Sequence, residues 1–165
     1  LQNRFDVVQK KTSASLLILS GSDGDITSAE AVNAAFEAAS QIDVVYHIAA
    51  LVGPFHDRSK YEAVNYYGTM YVLQACQNYK VPKLVYSSSP STRFTGADID
   101  GLREDQLPIP DKFLALYAET KAQAEKQVAA ACGKEGVLTK REIIEKVGSS
   151  ILSSKCDAVI ATCKA

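Results

Sequence analysis

Three consecutive serines and a tyrosine–lysine pair are the residues of this chain whose types and spacing best suit chemistry. Ser87, Ser88 and Ser89 directly follow a short apolar run, and Tyr117 and Lys121 lie four residues apart. On a helix, positions four apart share one face, so a phenol and an ammonium would lie side by side. An ammonium favours the phenolate form, and a serine hydroxyl can orient a substrate oxygen. The pattern indicates acid–base chemistry on an alcohol or a carbonyl, with any hydride supplied by a cofactor.

The tyrosine–lysine spacing is weak evidence by itself, because the chain contains it more than once. Tyr79 and Lys83 have the same spacing, but Pro82 lies between them and disfavours a helix. Tyr117, in contrast, precedes a run of strong helix formers that predicts a helix to about Ala131. The alternative interpretation is a surface helix on which the two side chains are merely neighbours.

Composition narrows the class of protein. The 165 residues suit one domain, 47% of them are apolar, and the net charge of −1 gives no reason to expect a nucleic-acid partner. Four cysteines without a CxxC pair, and only two histidines, predict reduced thiols in an intracellular protein and no metal site. No apolar run reaches the roughly 18 residues of a membrane-spanning helix, and the first residues do not read as a signal peptide. Because the chain does not begin with Met, we expect that its first residue is not the natural start.

Strand and helix patterns alternate along most of the chain. Short apolar runs at residues 5–8, 16–19 and 84–86, and a longer one at residues 43–50, predict buried strands. Thr27 and Glu30 match a capping box, which predicts a helix behind Thr27. The buried faces of two helices are predicted to carry Val32, Ala35, Phe36 and Ala39 in the first, and Val64, Tyr67, Gly68, Tyr71, Val72, Ala75, Cys76 and Tyr79 in the second. His47 is interpreted as a packed strand residue.

This order of elements predicts an α/β fold. Right-handed crossovers between the strands would give a parallel sheet with helices on both faces. Ligands of such sheets bind at the carboxyl ends of the strands. That edge is where we expect Ala49, Ala50 and the three serines. Residues 90–111 are predicted to form a polar loop before the Tyr117 helix.

Five ordered motifs together carry a resemblance to a known family. They are Gly24-Asp-Ile-Thr, Tyr46-His-Ile-Ala-Ala, Val64-Asn-Tyr-Tyr-Gly-Thr, Leu84-Val-Tyr-Ser-Ser-Ser, and Tyr117-x-x-x-Lys-Ala-x-x-Glu. Over residues 5–136 the chain resembles an extended short-chain dehydrogenase/reductase. It is most similar to the 3β-hydroxysteroid dehydrogenase group, which includes the sterol-4α-carboxylate 3-dehydrogenases. The resemblance implies a Rossmann-like, NAD-binding sheet.

The resemblance also implies roles for single residues. The implied catalytic residues are Ser89, with Ser88 as the runner-up, Tyr117 as general base, Lys121 as its partner and ligand of the nicotinamide ribose, and Asn65 as support of the active-site network. The implied cofactor-binding residues are Asp6, Asp25, Ile26, Ala49, Ala50, Ser87, Tyr117 and Lys121. Asp25 would contact the adenine, and an acid at Asp6 would hold the adenosine ribose and favour NAD over NADP. The plainer alternatives are a Gly-Asp turn at Asp25 and an ordinary helix position at Asn65.

The chain also departs from the family pattern at both ends. No Gly-x-x-Gly-x-x-Gly turn precedes the first motif, so the first strand–helix unit with its pyrophosphate site is expected to be missing. The substrate-binding domain after residue 136 is also expected to be missing. Residues 137–165 instead predict a helix behind a capping box at Thr139 and Glu142, and a strand at residues 157–162. That strand either replaces the missing one or belongs to an unrelated tail. We expect a partial NAD-binding domain at residues 1–136 that binds the dinucleotide weakly or not at all by itself.

The function that these observations predict is NAD-dependent oxidation of a 3β-hydroxyl on a sterol-like substrate. A nucleotide-sugar epimerase or dehydratase of the same superfamily is one alternative. The other is a non-catalytic isoform that pairs with a second copy or a full-length subunit through an exposed sheet edge. The expected location is the cytoplasm or the surface of the endoplasmic reticulum, the latter implied by the sterol-acting relatives.

Overall fold

The fold is a five-stranded parallel sheet with its helices packed together. A computed structural model describes the backbone at residues 16–20, 24–39, 41–97, 101–102, 106–131, 138–140 and 158–162, with side chains between residues 24 and 131. The strands are β1 (Leu16–Ser20), β2 (Val44–His47), β3 (Lys83–Tyr86), β4 (Leu138–Lys140) and β5 (Ala158–Thr162). Their spatial order is β1-β5-β2-β3-β4, and every pairing is parallel. The predicted parallel α/β class is confirmed.

Most of the predicted strands are present. Those predicted at residues 16–19, 84–86 and 157–162 correspond to β1, β3 and β5, and β5 lies between β1 and β2. The strand predicted at residues 43–50 ends earlier, at His47. Its last apolar residues leave the sheet and turn into the wall of a pocket, as described below. The strand predicted at residues 5–8 lies outside the described residues.

In the part of the chain that the structure describes, four α-helices lie between these strands. They are α1 (Ala29–Ala38), α2 (Arg58–Tyr61), α3 (Gly68–Asn78) and α4 (Leu116–Ala131). A π-helical segment, Glu62–Tyr67, joins α2 to α3 without a break, and a 3₁₀ turn, Pro90–Arg93, follows β3. Helix α3 contacts both α1 and α4. Together they cover the sheet face that carries Val45 and Leu84, and these residues share one apolar core with Val32, Phe36, Val72, Ala75, Cys76 and Val128. Among the described residues, no helix combines the length and apolar character that crossing a bilayer requires.

Helix α1 begins one residue later than the sequence predicts. Ser28, not Thr27, is the N-cap, and its side chain accepts a hydrogen bond from the Ala31 backbone N–H. Thr27 instead donates to the Asp25 carboxylate from its backbone nitrogen and its hydroxyl, at 2.9 and 2.8 Å. The prediction of a capping box at Thr27 was therefore wrong, because the Asp25 carboxylate, two residues earlier, binds that threonine in a turn. The predicted buried face is confirmed by Val32 and Phe36.

The π-helical segment changes which side chains of this helix are buried. A π turn inserts one extra residue and rotates the following side chains relative to an ideal α-helix. Tyr67, predicted on the buried stripe, is 51% exposed, whereas Asn65 is fully buried. Directly after the segment, a Cβ at Gly68 would lie 3.0 Å from the Ile26 side chain and 3.1 Å from its carbonyl oxygen. Only glycine fits there without displacing the chain between β1 and α1.

The predicted C-terminal helix is only partly covered by the structure. Thr139 lies inside β4, in register with Leu84 of β3. The remainder of that predicted capping box and helix lies outside the described residues.

Candidate active site

A pocket of about 300 Å³ opens at the carboxyl ends of β2 and β3. It is lined by Ile48, Ala49, Ala50, Val52, Ser87, Ser88, Tyr117 and Lys121. Six residues that the sequence singled out are therefore brought together, from two strand ends and one helix: Ala49, Ala50, Ser87, Ser88, Tyr117 and Lys121. One wall is apolar, and the other carries hydroxyls and an ammonium. The pocket lies at the edge of the sheet where the sequence predicted that a ligand binds.

Lys121 is the most constrained side chain of the pocket. It is 1% exposed, and its Nζ donates to the Ser87 carbonyl oxygen at 2.7 Å. The same ammonium lies 4.2 Å above the centre of the Tyr86 ring, which is a cation–π arrangement. Burial lowers the pKa of Lys121 from 10.5 to about 8, although the nearby Glu125 carboxylate opposes this. The ammonium still carries its charge at neutral pH.

The lowered pKa of Lys121 predicts a pH-dependent stability. The unfolded chain holds this proton up to about pH 10.5, whereas the folded chain releases it near pH 8. Between these values the unfolded state binds more protons, so the free energy of unfolding contributed by Lys121 rises with pH. At neutral pH the buried ammonium costs about 3 kcal/mol. We expect urea unfolding to show Lys121→Met more stable than the wild type at pH 7, with the difference shrinking toward pH 10.

The comparison with Lys121→Met removes the contributions of other groups. Burial raises the pKa of Cys76 from 9.0 to about 12, which makes stability fall with pH over much of the same range. That effect is common to both proteins and cancels in their difference. A stability difference that stays constant from pH 7 to pH 10 would contradict the assignment to Lys121.

Asn65 holds the apolar wall of the pocket. Its Oδ1 accepts from the Leu51 backbone N–H at 2.8 Å, and its Nδ2 donates to the Leu51 carbonyl at 3.1 Å and to Thr120 Oγ1 at 3.3 Å. The Tyr61 hydroxyl donates to the carbonyl oxygen of Gly53, two residues along the same loop. The π-helical segment places Asn65 for this bonding, as such segments do at many functional sites. Its role in the catalytic network stays a prediction.

His47 lies behind the pocket as a neutral, buried side chain. Burial, helped by the charge on Lys121, lowers its pKa to about 3. Its Nε2 lies 2.9 Å from Thr69 Oγ1, and Thr69 in turn donates to the Asn65 carbonyl at 2.8 Å. Because the one hydroxyl hydrogen of Thr69 is used there, Nε2 must be the donor to Thr69. The interpretation of His47 as a packed strand residue is confirmed.

The three serines have different surroundings. Ser87 and Ser88 line the pocket, and Ser88 Oγ donates to Glu125 Oε2 at 2.6 Å. Ser89 is the N-cap of the 3₁₀ turn, where its Oγ accepts from the Ser91 backbone N–H and lies 2.8 Å from Ser91 Oγ. It is absent from the residues that line the pocket. The assignment of Ser89 as the catalytic serine stays a prediction, with Ser88 as the alternative.

Two predicted cofactor residues, Asp25 and Ile26, are not among the residues that line this pocket, and a third, Asp6, is not covered by the structure. Asp25 is exposed, and the Thr27 hydrogen bonds hold its pKa below the usual value. This geometry is that of a Gly-Asp turn. The Ile26 side chain is buried in the core against Gly68, and Asp6 lies outside the described residues. Contacts of all three with the cofactor stay predictions.

Two residues near the pocket had no role assigned from the sequence. Arg93 and Glu125 form a buried ion pair below the serines, with Nη2 and Oε1 2.6 Å apart. The signal for Glu125 was its spacing, since it lies four residues after Lys121 and eight after Tyr117, on one helix face. Arg93 lies in the predicted polar loop, which also contains Arg103, and nothing in the sequence singled it out.

Comparisons with known proteins assign the chain that carries this pocket to a family. The model of the 3-beta hydroxysteroid dehydrogenase/isomerase family matches residues 3–140. A 2-alkyl-3-oxoalkanoate reductase of Shewanella oneidensis is 39% identical over 105 residues, which cover 64% of this chain and 26% of the reductase. A decarboxylating sterol-4-alpha-carboxylate 3-dehydrogenase of Schizosaccharomyces pombe is 41% identical over 107 residues, 64% of this chain and 30% of that enzyme. The chain thus spans under a third of the length of these two relatives.

A solved structure agrees with the fold. The UDP-glucose 4-epimerase of Thermus thermophilus, determined in complex with NAD, superposes with a TM-score of 0.61 at 25% identity, over 70% of this chain and 37% of the epimerase. The fold, the pocket at the strand ends and the tyrosine–lysine helix are thus accompanied by a family match over most of the chain. The chain belongs to the 3-beta hydroxysteroid dehydrogenase/isomerase family.

Proposed function

We propose that this pocket is the reaction centre of an NAD-dependent oxidoreductase that acts on a secondary alcohol at the 3-position of a sterol-like substrate. The observation that carries the proposal is the convergence of Tyr117, Lys121 and Ser88 on one pocket whose other wall is apolar. A phenol that shares a pocket with a buried ammonium is equipped to accept a proton from an alcohol. An apolar wall suits a substrate that is mostly hydrocarbon.

The residues present fit the nicotinamide end of a dinucleotide. The volume of about 300 Å³ lies at the lower limit of small-molecule sites, so it suits one end of the cofactor better than the whole molecule. Ala49 and Ala50 keep one wall free of long side chains. Lys121 donates one of its three ammonium hydrogens to Ser87, and an ammonium at the pocket wall can also serve ribose hydroxyls. When bound, NAD supplies the hydride acceptor that no side chain provides.

The chain's own residues then perform three tasks. Tyr117 takes the proton of the substrate hydroxyl, and the Lys121 ammonium supplies the positive charge in the wall of the pocket. A serine hydroxyl of the pocket orients the substrate oxygen. The loop held by Asn65 and Tyr61 keeps the apolar wall in place, so that substrate and catalytic groups are already oriented for reaction when the substrate binds.

The names of the relatives narrow the substrate class. The names of the sterol-4-alpha-carboxylate 3-dehydrogenase and the 2-alkyl-3-oxoalkanoate reductase both describe an oxygen group on carbon 3. In both substrates the neighbouring carbon bears a carboxylate. We therefore favour a 3-hydroxyl whose carbon is β to a carboxylate, on a steroid skeleton.

The test is a comparison of three substrates under one set of conditions. The protein is incubated with NAD and, separately, a 3β-hydroxysterol 4α-carboxylate, a 3β-hydroxysteroid without the carboxylate, and a UDP-hexose. We expect NADH and a 3-ketone from the sterols, fastest with the carboxylate. Epimerised UDP-hexose without net NADH would instead identify the nucleotide-sugar epimerase that the structural neighbour favours. Absence of both products would contradict catalysis by this chain by itself and favour the non-catalytic partner of a second subunit.

A further inference from the structure

A buried ion pair joins the serine segment, residues 87–93, to helix α4. Arg93 Nη1 and Nη2 donate to Glu125 Oε2 and Oε1, each at 2.6 Å, and the two side chains are 2% and 5% exposed. Ser88 Oγ donates to the same carboxylate at 2.6 Å, and Thr92 Oγ1 approaches it at 3.5 Å. Thr92 also donates to the Ser89 carbonyl at 2.7 Å. Three residues of the segment thus converge on one carboxylate.

This arrangement calls for an explanation other than stability. Removing two charges from water is costly, and an apolar pair of similar volume often serves a fold at least as well. Glu125 lies one helical turn beyond Lys121, whose Nζ bonds the Ser87 carbonyl at 2.7 Å. The serine segment is therefore attached at two successive turns of the helix that also carries Tyr117. What the ion pair provides is a defined position of the serines relative to that helix.

The carboxylate also decides what Ser88 can offer to the pocket. A carboxylate only accepts hydrogen bonds, so the single hydroxyl hydrogen of Ser88 is directed to Glu125. In this arrangement Ser88 faces the pocket only as an acceptor, and it can donate to a substrate oxygen only by giving up its bond to Glu125. The Arg93 guanidinium keeps the Glu125 carboxylate ionised and oriented, because it bonds both carboxylate oxygens at once.

We propose that Arg93 and Glu125 are positioning residues that form a buried latch, which holds the serine segment on α4 and sets the direction of the Ser88 hydroxyl. This inference rests on the proposed function for its catalytic consequence, but the attachment itself can be measured without turnover. The same helix offers a matched control, since Arg58 forms a bidentate pair with Glu119 at 3.1 and 3.2 Å. That pair is solvent-exposed and joins α4 to α2 instead of to the serine segment.

Hydrogen exchange measured by mass spectrometry tests the latch directly. In Glu125→Gln and in Arg93→Lys, we expect amide exchange across residues 87–93 to accelerate about tenfold more than exchange in α3. Glu119→Gln and Arg58→Lys are expected to leave the serine segment as it is in the wild type. Exchange in residues 87–93 that equals the wild type in both latch variants would overturn the proposal. So would an equal acceleration over the whole chain, which would mean a general loss of stability.

Turnover supplies the second readout. With NAD and the sterol substrate, we expect the latch variants to lower kcat about tenfold while KM for NAD stays unchanged, since the latch does not line the pocket. Arg93→Lys, which keeps the charge, is expected to retain more kcat than Arg93→Met. A rise in KM for NAD at constant kcat would overturn the positioning role. If the wild type shows no turnover, the proposed function fails, while the exchange experiment still decides the latch.

Discussion

Replacing Tyr117 by phenylalanine is expected to lower turnover with NAD and a 3β-hydroxysteroid by about a hundredfold to ten-thousandfold. The change removes one oxygen atom, and with it the group that takes the substrate proton; general-base contributions of this kind have that size. The ring and its packing remain, so the free energy of unfolding should stay close to that of the wild type. Steady-state formation of NADH, together with urea unfolding of both proteins, measures the two effects.

Tyr67→Phe is the matched control for this substitution. It removes the same atom from a tyrosine that is 51% exposed on the π-helical segment, away from the pocket. We expect wild-type turnover from it. If Tyr117→Phe kept full activity, Tyr117 would not be the base, and the pocket would need another proton acceptor.

Arg93→Met is expected to cost about 3–5 kcal/mol of unfolding free energy, because removing one partner of a buried ion pair leaves the other charge buried without compensation. The carboxylate concerned is that of Glu125, which is 5% exposed. Urea unfolding at neutral pH measures the loss. The double variant Arg93→Met with Glu125→Met is expected to recover most of it, since two apolar side chains of similar volume no longer bury a charge.

The exposed pair on the same helix again provides the comparison. Arg58→Met removes the guanidinium that bonds Glu119, where solvent replaces the lost contacts. We expect no measurable change in unfolding free energy. A double variant as unstable as Arg93→Met alone would show that the loss comes from packing and not from the unpaired carboxylate.

Much of the fold could be predicted because its signals are local. The apolar run at residues 84–86 and the helix formers after Tyr117 are short-range patterns, and they gave β3 and α4 nearly as observed. The start of α1 could not be predicted, because two adjacent hydroxyl residues, Thr27 and Ser28, compete for the cap. A turn at Asp25 decided between them. The exposure of Tyr67 depends on the π turn. A prediction from the ideal helical period assumes 3.6 residues per turn throughout and therefore misses an inserted residue.

The candidate site was predictable only where motif and strand end coincide. Ala49, Ala50, Ser87, Tyr117 and Lys121 meet because parallel strands present their carboxyl ends at one edge. Arg93 and Glu125 were missed because their pairing joins residues far apart in sequence and depends on a side-chain geometry that no spacing reveals. The same applies to Ser88 and Ser89, whose surroundings differ only through the 3₁₀ turn and the carboxylate of Glu125.

The place of β5 has a consequence for how the protein is made. β5 comes last in sequence among the described strands, yet it is bonded to both β1 and β2, over 100 residues earlier. During synthesis these two strands leave the ribosome well before the strand that separates them exists. Until then each presents an open edge, and such edges pair readily with other chains. Long-range pairing of this kind is also slow. We therefore expect the yield of folded protein to depend on how soon β5 is translated and on whether nascent chains are kept apart until then.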